Sequence, residues 1–205
     1  MTIFIIIVTS LISILAFGNR ALFEKLQLTP YKVYHKKEWY RIISHGFLHA
    51  DWVHLIINMI VLLSFGNAVE NIFKKLAANG TIKSPVLVFV LLYFISMIAA
   101  SITSVIKQKD NAWYHSVGAS GAVSAVIFTS IFFQPLARLY LYAVIPIPGI
   151  VFGVLYLGYS HYMSKKGGDN INHDAHFIGA VVGFIFPLFI DPSLIHVFLN
   201  QLFNF

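Results

Sequence analysis

The segment HDAHFIGAVVGFIFPLFI, from His173 to Ile190, decides which kind of fold this sequence can form. Beyond His176 it contains only apolar residues, glycines and one proline, and it is long enough to cross a membrane as a helix. On that helix His176, Gly179 and Gly183 share one stripe. Glycines let two helix backbones approach closely, and intramembrane histidines usually face a bundle interior. The segment therefore predicts a membrane helix packed against another helix, with a histidine at the contact.

The composition of the whole chain agrees with a membrane protein. Of the 205 residues, 58% are hydrophobic and only 11% are charged, whereas a soluble domain has about 25% charged residues. We expect an all-α polytopic membrane protein in which residues 1–205 form a single domain, with no room for an added soluble domain. Cysteine is absent, which excludes cysteine nucleophiles and thiolate metal sites.

The formal net charge of +6 comes from lysines and arginines between the apolar runs. Cations in such positions are typical of residues that flank membrane spans. The expected partners are therefore a lipid bilayer and other membrane proteins, and not nucleic acid.

Apolar runs of sufficient length predict six membrane spans, at about 2–17, 54–73, 85–106, 118–134, 148–163 and 173–190. No basic residue precedes the first run, so we expect a retained span and not a signal peptide. The connection 18–53 is amphipathic and predicts a folded element in the membrane interface, and the tail 193–205 is also predicted to be interfacial. Because Pro146 to Gly149 interrupts an apolar stretch, residues 139–145 are expected to be a partly buried lead-in to the fifth span.

Polar residues occur at the beginning of the three even-numbered spans, which all start on the same side of the membrane. The second span begins with His54, and Asn58 follows one turn later. Ser120 lies among small residues at the start of the fourth span, and His176 lies in the first turn of the sixth. Side chains at one end of a bundle can form a shared site.

These residue types suit nucleophilic catalysis. An imidazole activates a serine hydroxyl by accepting its proton, and free backbone N–H groups in the first turn of a helix stabilise a developing oxyanion. We therefore predict a catalytic dyad of Ser120 and His176, with His54 and Asn58 as further oxyanion donors. Asp174 is two residues from His176 and is expected to point elsewhere, so no triad is predicted.

The sequence resembles the rhomboid intramembrane serine proteases. The shared motifs occur in the family's order and are WYRIISHGFLH at 39–49, DWVHLIINM at 51–59, GASG at 118–121, and AHFIG at 175–179 followed by Gly183. The resemblance implies six helices around a water-filled cavity and substrates that are transmembrane proteins. It also implies that Ser120 is the nucleophile, His176 the base, His54 and Asn58 the oxyanion-hole side chains, and Arg41 the residue that shapes the first connection.

Two positions depart from the family's pattern. Tyr40 separates Trp39 from Arg41, and Ser124 stands where many relatives carry an aromatic residue that stacks on the catalytic base. The second departure predicts weaker support for the orientation of His176.

Other functional classes explain less of the sequence. A non-proteolytic rhomboid-like protein would only bind client helices, and the intact pair of Ser120 and His176 argues against it. The histidines at 45, 49, 173 and 176 suggest a metalloenzyme, but the chain has neither adjacent histidines nor an HExxH motif, so we expect no metal and no other cofactor. A transporter is disfavoured because the two halves show no repeat.

The charge distribution conflicts with the orientation that the resemblance implies. Connections that precede the even-numbered spans contain most of the lysines and arginines, which by the positive-inside rule places the predicted site in the cytoplasm. We nevertheless expect cytoplasmic termini and a site open to the extracytoplasmic side, because cations in a folded interfacial connection need not report on translocation. Without a targeting presequence, the expected location is a prokaryotic plasma membrane.

Overall fold

The computed structural model describes residues 1–141, 144–169 and 171–203, and this part of the chain is mostly helical. Its helices are α1 (Thr2–Phe17), α2 (Arg20–Leu26), α3 (Pro30–Lys36), α4 (Arg41–Ser44), α5 (Trp52–Ala78), α6 (Pro85–Gln108), α7 (Ser120–Phe133), α8 (Gly149–Lys166), α9 (His173–Ile190) and α10 (Leu194–Phe203). A single 3-10 turn, His45–Phe47, follows α4. The strands β1 (Arg138–Leu141) and β2 (Ile145–Pro148) pair antiparallel.

Helices occupy all six segments that the sequence predicts to be spans. Among the described residues α5, α6 and α9 are long and apolar enough to cross a membrane, and α1, α7 and α10 are shorter apolar helices. The chain is therefore an integral membrane protein, and the six-span topology stays a prediction. The predicted second span is longer than expected, because α5 continues past Lys74 and Lys75 to Ala78.

The expectation of an entirely helical fold is wrong between α7 and α8. The predicted lead-in, 139–145, belongs instead to a hairpin in which Leu139 pairs with Ile147; residues 142 and 143 lie outside the described part. Pro146 and Pro148 lack the N–H that a helix requires, and their alternate spacing leaves the missing donors on one edge of the strand. The β-branched residues Ile145 and Ile147 favour the extended backbone between them.

The helix α7 is the centre of the bundle, and α5, α6 and α9 pack around it. Its residues from Gly121 to Phe133 are all buried. Against it, α9 presents Gly179 and Gly183, where an added Cβ would overlap the carbonyl oxygens of Gly121 and Ala125. The predicted small-residue contact is confirmed, and the two backbones touch at two points about one turn apart.

A buried arginine organises the connection between α1 and α5. The Arg41 side chain is 3% exposed, and its Nη1 donates to the carbonyl oxygens of Glu24 at 2.9 Å and Gln27 at 2.8 Å. Its Nε donates to the Glu38 carboxylate at 2.6 Å. These bonds tie α2 and the segment before α3 to α4, as the role implied for Arg41 requires.

The helix contact generates a prediction for Gly183. Gly183→Ala must separate α7 from α9, and we expect it to lower the free energy of unfolding by about 1–3 kcal/mol. Thermal denaturation of the detergent-purified protein, followed by size-exclusion chromatography, measures the loss. The matched control is Gly158→Ala on α8, where an added Cβ meets no atom within 4 Å. Equal stability of the two variants would contradict the packing argument.

Candidate active site

Ser120 is the first residue of α7, and the turn before it brings the chain against α5. Gly118 has a φ of +120°, a backbone conformation that other residues rarely adopt. A Cβ at Gly118 would lie 2.9 Å from Cε1 and 3.1 Å from Nε2 of His54. Ser120 thus begins α7 two residues after Gly118, the residue that approaches the His54 ring.

The first turn of α7 has free hydrogen-bond donors. Ala119 precedes the helix and its side chain does not cap it. The N–H groups that begin a helix lack partners within the helix and carry the positive end of its dipole. Backbone donors in this position, beside Ser120, are of the kind that can stabilise a developing negative charge.

The ring of His54 has a defined tautomer. The backbone N–H of Ala50 donates to His54 Nδ1 at 3.4 Å, so the hydrogen lies on Nε2, the nitrogen that faces Gly118. Asp51 caps α5 by accepting from His54 N at 2.8 Å. Asn58 lies one turn further along α5, where its side-chain amide donates to His54 O at 3.0 Å.

The first turn of α9 brings His176 to the same end of the bundle. Asn172 caps α9 by accepting from Ala175 N at 3.1 Å, and its amide donates to Ser104 Oγ of α6 at 2.8 Å. The Ala175 carbonyl oxygen lies 3.2 Å from the Cβ position of Gly121, the residue after Ser120. The turns of Ser120 and His176 are therefore adjacent. No hydrogen bond joins the two side chains in the part of the chain described, and such bonds commonly tighten only when substrate binds.

Sequence reasoning missed Tyr156. Its ring, on α8, stacks on His176 with centroids 6.3 Å apart and planes 20° apart. Its hydroxyl lies 2.6 Å from Ser124 Oγ. The departure from the family's pattern at Ser124 is therefore offset by an aromatic side chain from another helix. No sequence signal pairs Tyr156 with His176, because the contact depends on how α8 and α9 pack.

The carboxylates near His176 are engaged elsewhere. Lys107 Nζ binds Asp174 Oδ2 at 2.8 Å, which confirms that Asp174 points away from His176. Asp169 Oδ2 lies 3.0 Å from Nε2 of the buried His173. The hydrogen bond from His173 is the main reason that the pKa of Asp169 is lowered.

The two buried histidines of the first connection bind side chains of neighbouring helices. His45 Nε2 lies 2.7 Å from Ser101 Oγ on α6, and His49 Nδ1 lies 3.0 Å from Ser13 Oγ on α1. Burial lowers the pKa of His45 to about 4 and that of His49 to about 3. Among the described residues, no group of three or more histidines, aspartates or glutamates is placed to hold a metal ion.

A small cavity with both polar and apolar lining lies beside Ser120. Its volume is about 20 Å³, and its lining includes Ser120, His45, Ser101, Ser104 and Asn172. A cavity of this size holds a single water molecule, and the hydroxyl and amide groups around it supply the partners that a buried water needs.

The fold and the site define a class: helical membrane proteins that gather a serine, histidines and an asparagine at one end of a bundle. The chain matches the Rhomboid domain over residues 36–193 and belongs to the rhomboid family. The resemblance seen in the sequence is thereby confirmed.

Named relatives occur in plants and bacteria. The chain is 33% identical over 150 residues to RHOMBOID-like protein 12, mitochondrial, of Arabidopsis thaliana, an alignment that covers 70% of this chain and 44% of that protein. It is 29% identical over 147 residues to Rhomboid protease GluP of Bacillus subtilis, covering 72% of this chain and 25% of that protein. RHOMBOID-like protein 4 of Arabidopsis thaliana is 35% identical over 96 residues, covering 47% and 21%. The chain thus spans less than half the length of these relatives.

The buried histidine at position 49 generates a prediction on pH dependence. Its folded-state pKa of about 3 lies below the ordinary value of 6.5, so the unfolded chain binds more protons between these values. The stability that comes from the neutral ring is present above pH 6.5 and is lost as the pH falls towards 3. We expect His49→Gln to weaken the fall in melting temperature on acidification. The exposed His161 supplies the control His161→Gln, and equal pH profiles for both variants would contradict the prediction.

Proposed function

We propose that this protein is an intramembrane serine endopeptidase that cleaves transmembrane segments of membrane proteins with a dyad of Ser120 and His176. The observation that carries the proposal is the backbone contact between α7 and α9, which holds the first turns of both helices side by side. Membership of the rhomboid family and the similarity to a Bacillus protein named as a rhomboid protease support it.

In the proposed mechanism His176 accepts the proton of Ser120 Oγ as that oxygen attacks a substrate carbonyl. The backbone N–H groups of the first turn of α7 and the Nε2–H of His54 donate to the resulting oxyanion, and Asn58 adds a side-chain donor. His176 then protonates the leaving amine, which breaks the peptide bond. A water molecule, activated by His176 in the same way, hydrolyses the acyl-enzyme and releases Ser120. The small cavity beside Ser120 has room for one such water molecule.

The substrate must unwind before it reaches the serine. A transmembrane helix uses its own carbonyl groups in internal hydrogen bonds, so we expect cleavage where small or helix-breaking residues weaken those bonds. The proposed entrance is lateral, past α8, where only Gly149, Gly153 and Ser160 are buried. The helix is followed by Gly167 and Gly168, both with positive φ, which suit a hinge at that end.

The proposed topology has six spans, α1, α5, α6, α7, α8 and α9, with the first connection and the tail in the membrane interface. An even number of spans places both termini on one side and the starts of α5, α7 and α9 on the other. We propose cytoplasmic termini in a prokaryotic plasma membrane, so that the site opens to the extracytoplasmic side. The partners are transmembrane substrates within the bilayer.

The mechanism predicts that removal of the Ser120 or the His176 side chain abolishes cleavage. In liposomes that contain a labelled single-span substrate, Ser120→Ala and His176→Ala are each expected to lower the cleavage rate by about 1,000-fold or more. The wild-type rate should be unaffected by a chelator. Ser64→Ala and His196→Ala, which remove the same functional groups outside the site, should cleave as the wild type does. Cleavage by Ser120→Ala would rule out the mechanism, and no cleavage by any form would favour a client-binding protein.

The topology predicts the location of two reporters in bacterial cells. A reporter fused after Phe205 is expected in the cytoplasm, and one inserted after Gly167, between α8 and α9, on the opposite side. Fluorescent protein and alkaline phosphatase fusions distinguish the two compartments. Exchange of the two locations would reverse the orientation and agree with the positive-inside count, whereas two reporters on the same side would contradict the six-span topology.

A further inference from the structure

Hydrogen bonds do not hold the imidazole ring of His176, the proposed catalytic base. Among the described residues, neither ring nitrogen of His176 has a hydrogen-bond partner, and Asp169 and Asp174 pair with other groups. The orientation of the imidazole therefore depends on packing. Its aromatic neighbours are His173, which meets it edge-on at 6.0 Å, and Tyr156, which covers its face.

Tyr156 is itself held in place from two sides. Its hydroxyl is bonded to Ser124, which lies one turn after Ser120 on α7. Its ring stacks on Phe152 at 5.6 Å and contacts Phe128 of α7 at 5.6 Å. The stack of Tyr156 on His176 lies within the range of about 4.5–7 Å at which aromatic pairs attract each other.

We propose that Tyr156 is the positioning residue that orients His176 for proton transfer, and that the base is therefore fully oriented only when α8 is closed against α7. This inference rests on the proposed function. It assigns to α8 a role in the chemical step that is separate from any role in substrate entry.

The packing of α8 supports the dependence on its position. Its buried residues are two glycines near its beginning and Ser160, and Phe152, Tyr156 and Leu157 are partly buried against the core. In the part of the chain described, the bond from Ser124 to Tyr156 is the one side-chain hydrogen bond between α8 and another helix. A movement of α8 that admits a substrate helix would break this bond and withdraw the ring from His176. The return of α8 would restore both contacts before proton transfer.

The test compares variants that remove the ring with variants that remove only the hydroxyl bond. Tyr156→Leu is expected to lower kcat for the single-span substrate by about five- to tenfold, with KM unchanged. The labelling of Ser120 by a small fluorophosphonate should slow by the same factor, because this probe needs the activated serine and no helix entry. Tyr156→Phe keeps the stack and should lower both rates by no more than about two- to threefold.

Two further variants separate the contributions. Ser124→Ala should match Tyr156→Phe, and the double variant should be no slower than either single variant, because both changes remove the same hydrogen bond. Tyr162→Leu, which removes an exposed tyrosine from the same helix, is the matched control and should retain wild-type rates. Melting temperatures measured in parallel identify any variant that is merely unfolded, and the comparison of Phe with Leu at position 156 remains valid if Leu is less stable.

A cross-link tests whether the orientation of His176 depends on the closed position of α8. Because the chain has no cysteine, the pair Ile131→Cys and Gly149→Cys can be cross-linked selectively, and a Cβ at Gly149 would lie 3.3 Å from Ile131 Cγ1. With α8 held closed, labelling by the probe should persist at the wild-type rate, while cleavage of the helical substrate should be lost and recovered on reduction. Loss of labelling in the cross-linked protein would overturn the dependence.

Other results for the Tyr156 variants would also overturn the positioning role. If Tyr156→Leu raises KM but leaves the labelling rate unchanged, the residue serves substrate entry and the positioning role is wrong. If Phe and Leu at position 156 are equally impaired, the stack is not responsible. A wild-type protein that neither cleaves nor labels would refute the proposed function itself, which is distinct from an active wild type whose Tyr156 variants are unimpaired.

Discussion

The contact between the backbones of α7 and α9 is the constraint on which the rest of the structure depends. Lipid is as apolar as leucine, so helices in a membrane associate through close packing and not through a hydrophobic driving force. Gly179 and Gly183 permit an approach that any side chain would block. The Thr129 hydroxyl reinforces it by donating to Gly183 O at 2.7 Å. Because the helices cannot slide past each other, the first turns that contain Ser120 and His176 remain at the same level.

The connection between α1 and α5 supports the other side of the site through a chain of backbone contacts. Arg41 donates a hydrogen bond to the carbonyl oxygen of Gln27. Leu28, which follows Gln27, forms two backbone hydrogen bonds of 3.0 Å with Ser116, one in each direction. Two residues later, Gly118 N donates to His45 O at 3.0 Å. The turn that begins α7 is therefore fixed by a segment that contains no reacting group. A buried arginine is costly in a membrane protein, and here its cost is offset by three hydrogen bonds, to Glu24, Gln27 and Glu38.

The sequence predicts the features that are determined within a single helix, such as its length and the face that its glycines share. Apolar length located the long helices, and the offsets of Gly179 and Gly183 from His176 predicted a close contact with another helix. Two features escaped because they are tertiary. The strand 145–148 exists only because 138–141 pairs with it, and an apolar run with two prolines does not reveal its partner. The stack of Tyr156 on His176 depends on the rotation of α8, so the serine at position 124 suggested a missing support that another helix supplies.

The first helix contributes to the site although none of the predicted site residues lies on it. Ser13 Oγ donates to Phe47 O at 2.9 Å, so its lone pairs accept the hydrogen on His49 Nδ1. That bond fixes the ring of His49, whose edge meets the ring of His54 at 4.9 Å and an angle of 77°. The buried His49 is neutral, since burial lowers its pKa to about 3. It therefore places no positive charge beside His54, whose ring also lies against Gly118, so a side chain of α1 supports a ring that contacts His54.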